Sequence, residues 1–578
     1  MPVHNADIAG VFEEIADLLE IQQANPFRVR AYRNAALTVG NLSLDLAAAV
    51  RQGKALPKLP GIGADLAGKI GEIARTGTAA LLERLHQQLP PAITELLQIP
   101  GLGPKRVRAL YQDLGITSVA RLQRAAREGA IRALPGFGAK TEFAILQAAE
   151  ARLSKARRFK LVVAEQYADA LIDDLRRARG VTAVAVAGSL RRMRETVGDV
   201  DILATADQSG EVMRRFVRYA EVKEVISQGP TRASVLLASG LQADLRVVPE
   251  ESYGAALHYF TGSKAHNIAI RKLAQARGLK VNEYGVFKGR RRIAGQTEES
   301  VYAAVGLPYI PPELREDRGE IEAARRARLP RLVELADLQG DLHAHSTWSD
   351  GRHTVREMAL AARARGLGYL AITDHSRRLA AAHGLDPVRL GKQIDEIERT
   401  RVEGITLLKG IEVDILEDGT LDLPDSVLGE LDLVIAAVHS AFGLPRARQT
   451  ERILRALDNP CVAMLAHPLG RLIGAREPYE VDMLKIVRQA AARGRFLELN
   501  AHPERLDLLD VHCRMAKDEG VLVSVNSDAH SVAQFDNLRC GIGQARRGWL
   551  EKRDVLNARP LPELQALLRR QAAGAAAC

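Results

Sequence analysis

Residues 188–203 read GSLRRMRETVGDVDIL: a glycine-serine turn, three arginines, and two aspartates two positions apart. Side chains in an extended strand alternate faces, so Asp199 and Asp201 project the same way. Two carboxylates converging there repel each other, and their simplest use is to share divalent cations. Arg191, Arg192, Arg194 and the Gly188-Ser189 turn offer donors suited to phosphate oxygens. Cations beside a phosphate cradle are the equipment of nucleotidyl transfer. A lone pair of acids also serves as an ordinary solvated face, and the flanking sequence decides between the two.

Around this stretch the chain reads as short strands. VTAVAVA leads into it, and VGDVDILATA, EVKEVISQ, RASVLLAS and LQADLRVVPE carry it onward, apolar-rich and bounded by turn residues. In the last of these Asp244 stands between Ala243 and Leu245, where a neighbouring strand can set it beside Asp199 and Asp201. Three carboxylates serve two metal ions about 4 Å apart in phosphoryl transfer. A salt bridge to Arg246 is the other use open to Asp244. Ahead of the strands, KARRFKLVVAEQYADALIDDLRRARG (155–180) reads as a basic linker entering a helix.

The motif G-S-x-R-R…G-D-x-D resembles the palm signature of the DNA polymerase beta superfamily. YFTGSKAHNIAIRKLAQARGLKVNEYGVF, residues 259–287, resembles the thumb of family X polymerases. The resemblance implies that Asp199 and Asp201 ligate both of two Mg²⁺ or Mn²⁺ ions, and Asp244 only the ion that activates the primer 3′-hydroxyl. It implies that Gly188, Ser189, Arg192 and the Gly198 amide hold the triphosphate. Tyr259 and Phe260 would lie against the incoming sugar, with Gly262 in the same turn, and Asn267 and Arg271 against the nascent pair and its template. Adenylyltransferases that share only the palm have no need of such a clamp, so the resemblance implies a templated polymerase. Two positions depart from polymerase beta: Gln242 replaces an arginine near the third aspartate, and Lys264 replaces an aspartate close to the base. Neither removes a metal ligand.

At about 150 residues per domain, 578 residues suggest three to five domains. The sequence has neither an apolar run of about 18 residues nor a charged-then-apolar leader, so no membrane span or signal peptide is expected. Cys461, Cys513, Cys540 and Cys578 show no C-x-x-C spacing, as expected of a reduced, cytoplasmic protein. Residues 1–340 hold 49 Lys+Arg against 38 Asp+Glu, whereas residues 341–578 hold 32 against 33 and ten of the 14 histidines. The basic first part suggests a polyanion partner and the histidine-rich second part suggests metal chemistry.

The first 150 residues are nearly strand-free: IAGVFEEIADLLEI, FRVRAYRNAALTV and LAGKIGEIART have helical apolar spacing. One pattern recurs three times, as LPGIGADLAGKI from Leu59, IPGLGPKRVRAL from Ile99 and LPGFGAKTEFAI from Leu134. The glycines permit a tight turn and a close backbone approach, and the following helix start attracts phosphate. Three copies in one register distinguish it from an ordinary helix connection. The pattern looks like the helix-hairpin-helix, which grips a DNA backbone without reading bases. Gly61, Gly63, Gly101, Gly103, Lys105, Gly136, Gly138 and Lys140 are the DNA contacts this implies.

Residues 1–90 resemble the amino-terminal lyase domain of polymerase beta, including AYRNAA at 31–36, and Lys69 falls on its Schiff-base lysine. Its amine could attack an abasic sugar; Asp65, where polymerase beta carries a second lysine, lowers the local positive potential. A phosphate contact is the other reading of Lys69.

Residues 311–337, charge-dense with proline at the edges, read as a linker containing a short helix, and beyond it strands alternate with helices. Seven strands are expected to end near His345, Asp374, Asp414, His439, His467, Asn500 and Asp528. Functional residues gather at the carboxyl ends of such strands, and there stand His343, His345, Asp350, His375, Glu412, His439, His467, Asp528 and His530. One strand-end histidine is ordinarily a satisfied polar group; nine imidazoles and carboxylates imply a multinuclear metal site. Mixed nitrogen and oxygen ligands suit Mn²⁺ or Zn²⁺ better than Mg²⁺. This half resembles the polymerase and histidinol phosphatase (PHP) domain. The resemblance implies up to three ions: one held by His343, His345, Glu412 and Asp528, a second by Glu412, His439 and His467, and a third by Asp350, His375 and His530. It implies hydrolysis of phosphate esters. His353, His383, His502 and His512 are expected at the surface or behind the ligands, and the chain from Arg569 onward as a fraying tail.

The expected fold is multidomain α/β. A helical lyase-like domain spans residues 1–90, a helix-hairpin-helix fingers domain 91–150, an α+β nucleotidyltransferase palm 151–250, a thumb 251–315, the linker 316–337, and a distorted (β/α)7 PHP barrel 338–578. The whole resembles a bacterial family X DNA polymerase fused to a PHP domain. That implies a monomer that fills gapped or nicked DNA with dNTPs in base-excision repair and cleans 3′ ends, without a membrane partner. Two other classes stay open: a nuclease or phosphatase whose polymerase half only binds DNA, and a non-catalytic DNA-end-binding module.

Overall fold

The computed structural model describes residues 3–40, 42, 46–51, 59, 61–154, 158–379 and 382–576. It divides into two compact units. The first comprises Met1–Phe159, Arg218–Glu224 and Leu236–Gln242, and the second the remainder. Lys155, Ala156 and Arg157 of the expected basic linker, and Cys578, lie outside the described residues.

Among the described residues up to 154 the first unit has helices and no strand. Helix Asn5–Ile21 buries Ile8, Phe12, Ile15 and Leu19 at helical spacing, and Phe12 meets Tyr32 of helix Pro26–Gly40 with ring centroids 5.9 Å apart. The three repeats form the same turn three times. Ile62 N donates to Leu59 O, Leu102 N to Ile99 O, and Phe137 N to Leu134 O, at 3.0–3.2 Å. Gly61, Gly101 and Gly136 sit at φ 66°, 86° and 81°, the left-handed conformation that this Pro-Gly turn demands at its third position. Helices Ala64–Thr76, Pro104–Leu114 and Ala139–Ser154 start directly after them.

After helix Leu161–Leu175 comes a five-stranded sheet, most of it in the second unit, in the order Val181–Val186, Asp199–Ala206, Gln242–Val248, Arg232–Leu237, Val222–Gln228. The first two strands are antiparallel, with Val186 opposite Ile202. Helices Tyr253–Thr261 and Lys264–Gln275, a three-stranded antiparallel sheet over residues 280–294 and helix Glu298–Ala304 follow. The charge-dense segment after them is densely packed. Leu314, Ala324 and Leu332 join the core formed by Ile270, Val286, Val301 and Tyr302, to which Trp549 also belongs. Arg315 and Glu320 are wholly buried because each has partners: Arg315 with Glu298 and the Ile310 carbonyl, Glu320 with His266.

Seven parallel strands then form one sheet in chain order: Gly340–Asp341, Tyr369–Ile372, Thr406–Asp414, Leu433–Ala437, Met464–Leu465, Phe496–Asn500 and Val523–Asn526. Just past the first and last strands Ala344 pairs with Ala529, bringing the two edges together. The final helix, Leu561–Ala576, continues through the residues expected to fray. Among the described residues no helix is long and apolar enough to cross a membrane, and Cys461, Cys513 and Cys540 are free.

Candidate active sites: a three-carboxylate palm and a histidine-rich metal centre

The palm turn is built so that glycine alone fits at its first position. Gly188 has φ 61°, and a Cβ there would stand 2.1 Å from Asp201 Oδ2. Asp201 returns a backbone bond, its carbonyl accepting from Ala187 N at 2.8 Å. The adjacent strands Asp199–Ala206 and Gln242–Val248 bring Asp199, Asp201 and Asp244 together. Burial, then the negative charges of Asp199 and Asp244, push the Asp201 carboxyl up to about 7. Asp244 accepts the Ser234 hydroxyl. Ser189 lies in the short helical turn Gly188–Arg191, and Gly198 directly precedes the Asp199 strand.

Arg191 donates to Thr261 Oγ1 at 2.8 Å and to both oxygens of Glu298 at 2.7 and 2.8 Å. Arg192 donates from Nε to Glu316 at 3.0 Å and from Nη1 to the Thr261 carbonyl at 2.7 Å. Tyr259 and Phe260 meet edge to face at 5.2 Å, and Arg246 stacks its guanidinium 4.3 Å above Phe260. Asn267 turns toward its own chain. Its Nδ2 donates to the carbonyls of Tyr259 and Gly262, and its buried Oδ1 has no hydrogen-bond partner. A Cβ on Gly262 would lie 2.6 Å from that Oδ1, which accounts for the glycine. Arg271 Nε reaches the Asn267 carbonyl at 3.4 Å.

At the barrel's C-terminal face five of the expected imidazoles surround Glu412, and Asp528, Asp350 and His530 stand against those rings. Glu412 Oε1 lies 2.8 Å from His467 Nε2 and 3.2 Å from His439 Nε2; its Oε2 lies 2.8 Å from His375 Nδ1, 3.4 Å from His343 Nε2 and 3.7 Å from His345 Nε2. Asp528 Oδ1 stands 3.2 Å from His345, 3.5 Å from His343 and 3.7 Å from His530. Asp350 Oδ1 stands 3.4 Å from His530, 3.6 Å from His375 and 3.9 Å from His345.

These residues fit divalent ions. Donors about 2.1 Å from one tetrahedral ion stand about 3.4 Å from each other, the spacing that recurs here. His375 Nδ1 and Glu412 Oε2, although close, are not aligned as a hydrogen bond, and His439 Nε2 and His345 Nδ1 are likewise buried without one. The sets that could hold an ion are His345, Asp350, His375 and His530; His343, His345 and Asp528; and His375, Glu412 and His439. His345 and His375 are thus each shared between two sets, where the family resemblance had divided them. Burial alone would raise Glu412, but His375, His439 and His343 hold its carboxyl well below the usual range. His467 and Asp528 occupy left-handed backbone at φ 28° and 52°, strain of the kind that collects at functional sites.

In the helical unit Gly61, Gly63, Gly101, Gly103, Gly136 and Gly138 are exposed, as are Lys105 and Lys140. A Cβ at any of the six glycines would meet open space. Arg106 donates to the carbonyls of both Gly101 and Gly136, at 2.8 and 3.2 Å, and holds the second and third turns together. Lys69 is paired with Asp65 one helical turn away.

Family models match in four places: a helix-hairpin-helix domain at residues 3–79, a SAM-like helix-hairpin-helix tandem at 93–152, the DNA polymerase beta thumb at 256–316 and a PHP domain at 341–502. The DNA polymerase/3′-5′ exonuclease PolX of Bacillus subtilis strain 168 is 40% identical over 574 residues, covering 98% of this chain and 100% of that one. The chain belongs to the family X DNA polymerases that carry a PHP domain. A probable phosphatase of Thermoanaerobacter sp. strain X514 is 34% identical over 33% of this polymerase-family chain and 78% of its own length. One of Acetivibrio thermocellus is 32% identical over 34% and 83%. Among solved structures, Leishmania infantum polymerase beta in a ternary P/T complex is similar at 22% identity, covering 39% of this chain and 98% of its own, with a TM-score of 0.27.

Sequence reading of this family X chain missed the residues behind the ligands. Glu498 accepts His343 Nδ1 at 2.7 Å and is itself held by Asn526 Nδ2, Asn500 Nδ2 and the His467 amide. Asp414 holds His439 Nδ1 at 3.0 Å. Carboxylates in this position fix the tautomer and direction of a ligating imidazole. The signal was available, because GIEVD and FLELN set Asp414 and Glu498 two residues from Glu412 and Asn500, on the same strand faces.

Proposed function

We propose that the protein is a DNA-directed DNA polymerase that fills short gaps in base-excision repair and processes 3′ ends through a metal-dependent 3′–5′ exonuclease or phosphoesterase site in its PHP domain. The observation that carries the reading is the convergence of Asp199, Asp201 and Asp244 behind the Gly188 turn, in one chain with the nine-residue barrel cluster. Gapped or nicked DNA and dNTPs are its substrates, and it acts as a cytoplasmic monomer.

Mg²⁺ or Mn²⁺ suits the three palm carboxylates, and Mn²⁺ or Zn²⁺ the imidazole-rich barrel. Bound divalent ions would supply Lewis-acid activation of the attacking oxygen and charge stabilisation at phosphorus. The rest falls to the chain. Asp199 and Asp201 would ligate both palm ions, and Asp244 one. Gly188, Ser189, Arg192 and the Gly198 amide receive the triphosphate, whose oxygens match a guanidinium fork and a helical turn's free amides. Tyr259 and Phe260, backed by Gly262, wall the sugar. Asn267 and Arg271 flank the base pair; because the Asn267 amide is engaged within the thumb and its Oδ1 is buried, that contact requires its side chain to turn outward.

The fold needs glycine at 61, 101 and 136 for their backbone angles, but nothing inside the protein crowds 63, 103 or 138. The space left by those absent side chains, with Lys105 and Lys140 beside it, suits a DNA backbone approaching the helix starts. Lys69 serves the same backbone as a phosphate contact or acts as the lyase amine; its pairing with Asp65 favours the first.

A labelled primer on a one-nucleotide gap, with Mn²⁺ and with or without dNTPs, tests the assignment. Asp201→Ala should abolish extension and spare shortening, and His439→Ala should do the reverse. A wild-type protein that shortens the primer and never extends it would leave the nuclease reading in its place.

A further inference from the structure

The phosphate turn of the palm is held in place by a residue of the barrel domain. Met193, at φ 55°, lies against Gly543 in helix Leu538–Arg547; a Cβ on that glycine would stand 2.6 Å from Met193 Cε. At the end of the same helix Arg547, with a side chain only 2% exposed, donates from Nη1 to the Arg192 carbonyl and to Glu316 Oε1, both at 3.0 Å. Its Nη2 donates to Asp510 at 2.7 Å. Glu316 Oε1 also receives Arg192 Nε at 3.0 Å and stands 3.6 Å from Arg194. Arg547 therefore fixes Arg192 twice, by its main chain directly and by its side chain through Glu316.

We propose that Arg547 is a positioning residue for nucleotide binding, so that the barrel domain supplies part of the polymerase site. This rests on the polymerase reading above. Glu316 orients Arg192 without neutralising the turn, because one carboxylate is divided among Arg192, Arg194 and Arg547 while Arg318 shares Asp510 with Arg547. Four guanidiniums face two carboxylates, and the excess positive charge can receive a triphosphate. Arg192 has five N–H donors. Its bonds to Glu316 and the Thr261 carbonyl occupy two of them and set the plane in which the remainder are presented. The other ion pairs described between barrel and palm, Arg539 with Glu165, Arg471 with Glu195 and Glu504 with Lys160, do not touch Arg192.

Single-nucleotide gap filling at varied dNTP concentration tests this on the full chain. Arg547→Gln should raise the KM for dNTP about tenfold, the worth of one charge-assisted hydrogen bond, and leave kcat and primer shortening without dNTPs near wild type. Glu316→Gln should raise KM in the same way, and the double variant should do no more than either alone, since both act through one connection. Arg539→Gln, which loosens the same interface elsewhere, should leave KM unchanged. An unchanged KM in Arg547→Gln, an equal rise in Arg539→Gln, multiplying effects in the double variant, or joint loss of both activities in Arg547→Gln would each overturn the proposal. A wild-type protein that extends no primer would defeat the polymerase reading itself, an outcome distinct from all of these.

Discussion

A single carboxylate, Glu412, meets five imidazoles, and each of those rings needs its own support to face the centre. For His439 the support is Asp414, which accepts from Nδ1–H and leaves the Nε2 lone pair available to an ion shared with Glu412. Asp414→Asn keeps the shape but can present an N–H to that ring and turn its tautomer. The expected result is a metal affinity weaker by about 10- to 100-fold, with primer extension intact. Mn²⁺ titration by calorimetry, beside gap filling, checks it. Wild-type metal affinity in a folded Asp414→Asn would show that His439 is oriented by something else.

Among the elements, the repeated Pro-Gly turns separate two uses of glycine. Gly101 at φ 86° is required by the backbone, so Gly101→Ala should lower stability by about 1 kcal/mol or more. Gly103 has an ordinary φ of −86° and open space around it. Gly103→Ala should cost at most about 1 kcal/mol, through helix capping, yet weaken binding to gapped DNA. Melting curves and a DNA-binding isotherm distinguish the two. In the thumb, helix Glu298–Ala304 starts with a carboxylate locked between Arg191 and Arg315. Burial alone would raise Glu298, but these arginines bring it down to about 2. A carboxyl depressed in the folded state stabilises above its unfolded value near 4.5 and loses that contribution as pH falls toward 2. The contribution is about 3 kcal/mol. Wild type should therefore lose stability between pH 4.5 and 2 more steeply than Glu298→Gln, which starts lower at neutral pH with the buried Arg315 and the half-buried Arg191 short of a partner. Parallel acid limbs in denaturation of the two proteins would contradict this.

At the scale of the molecule, what the sequence made legible was whatever repeats or alternates locally. The seven barrel strands and their histidine-rich ends, the three turns and the palm aspartates all follow from spacing along the chain. What it hid depends on partners far away in the chain. The strand pattern puts Glu498 on the same face as Asn500, but that its partner is His343, 155 positions away, emerges only on folding. The 316–337 segment reads as a solvated connector, because pattern alone cannot tell that Glu320 is matched to His266. Its packing leads to a prediction about division of the chain. Trp549 fills the thumb core with Leu314 and Leu332, and Val333 N bonds Leu550 O at 3.0 Å. A fragment of residues 1–337 should thus expose that core and melt at a lower temperature than the full chain, as scanning calorimetry would show. Equal melting temperatures would argue that Trp549 adds nothing to the thumb. The border that separates polymerase from barrel in the sequence is not the place where the protein comes apart. Anyone exchanging barrels between relatives would have to graft Trp549 and the strand-like stretch at 332–333 as a matched set, or the transplanted half would open the core of its host.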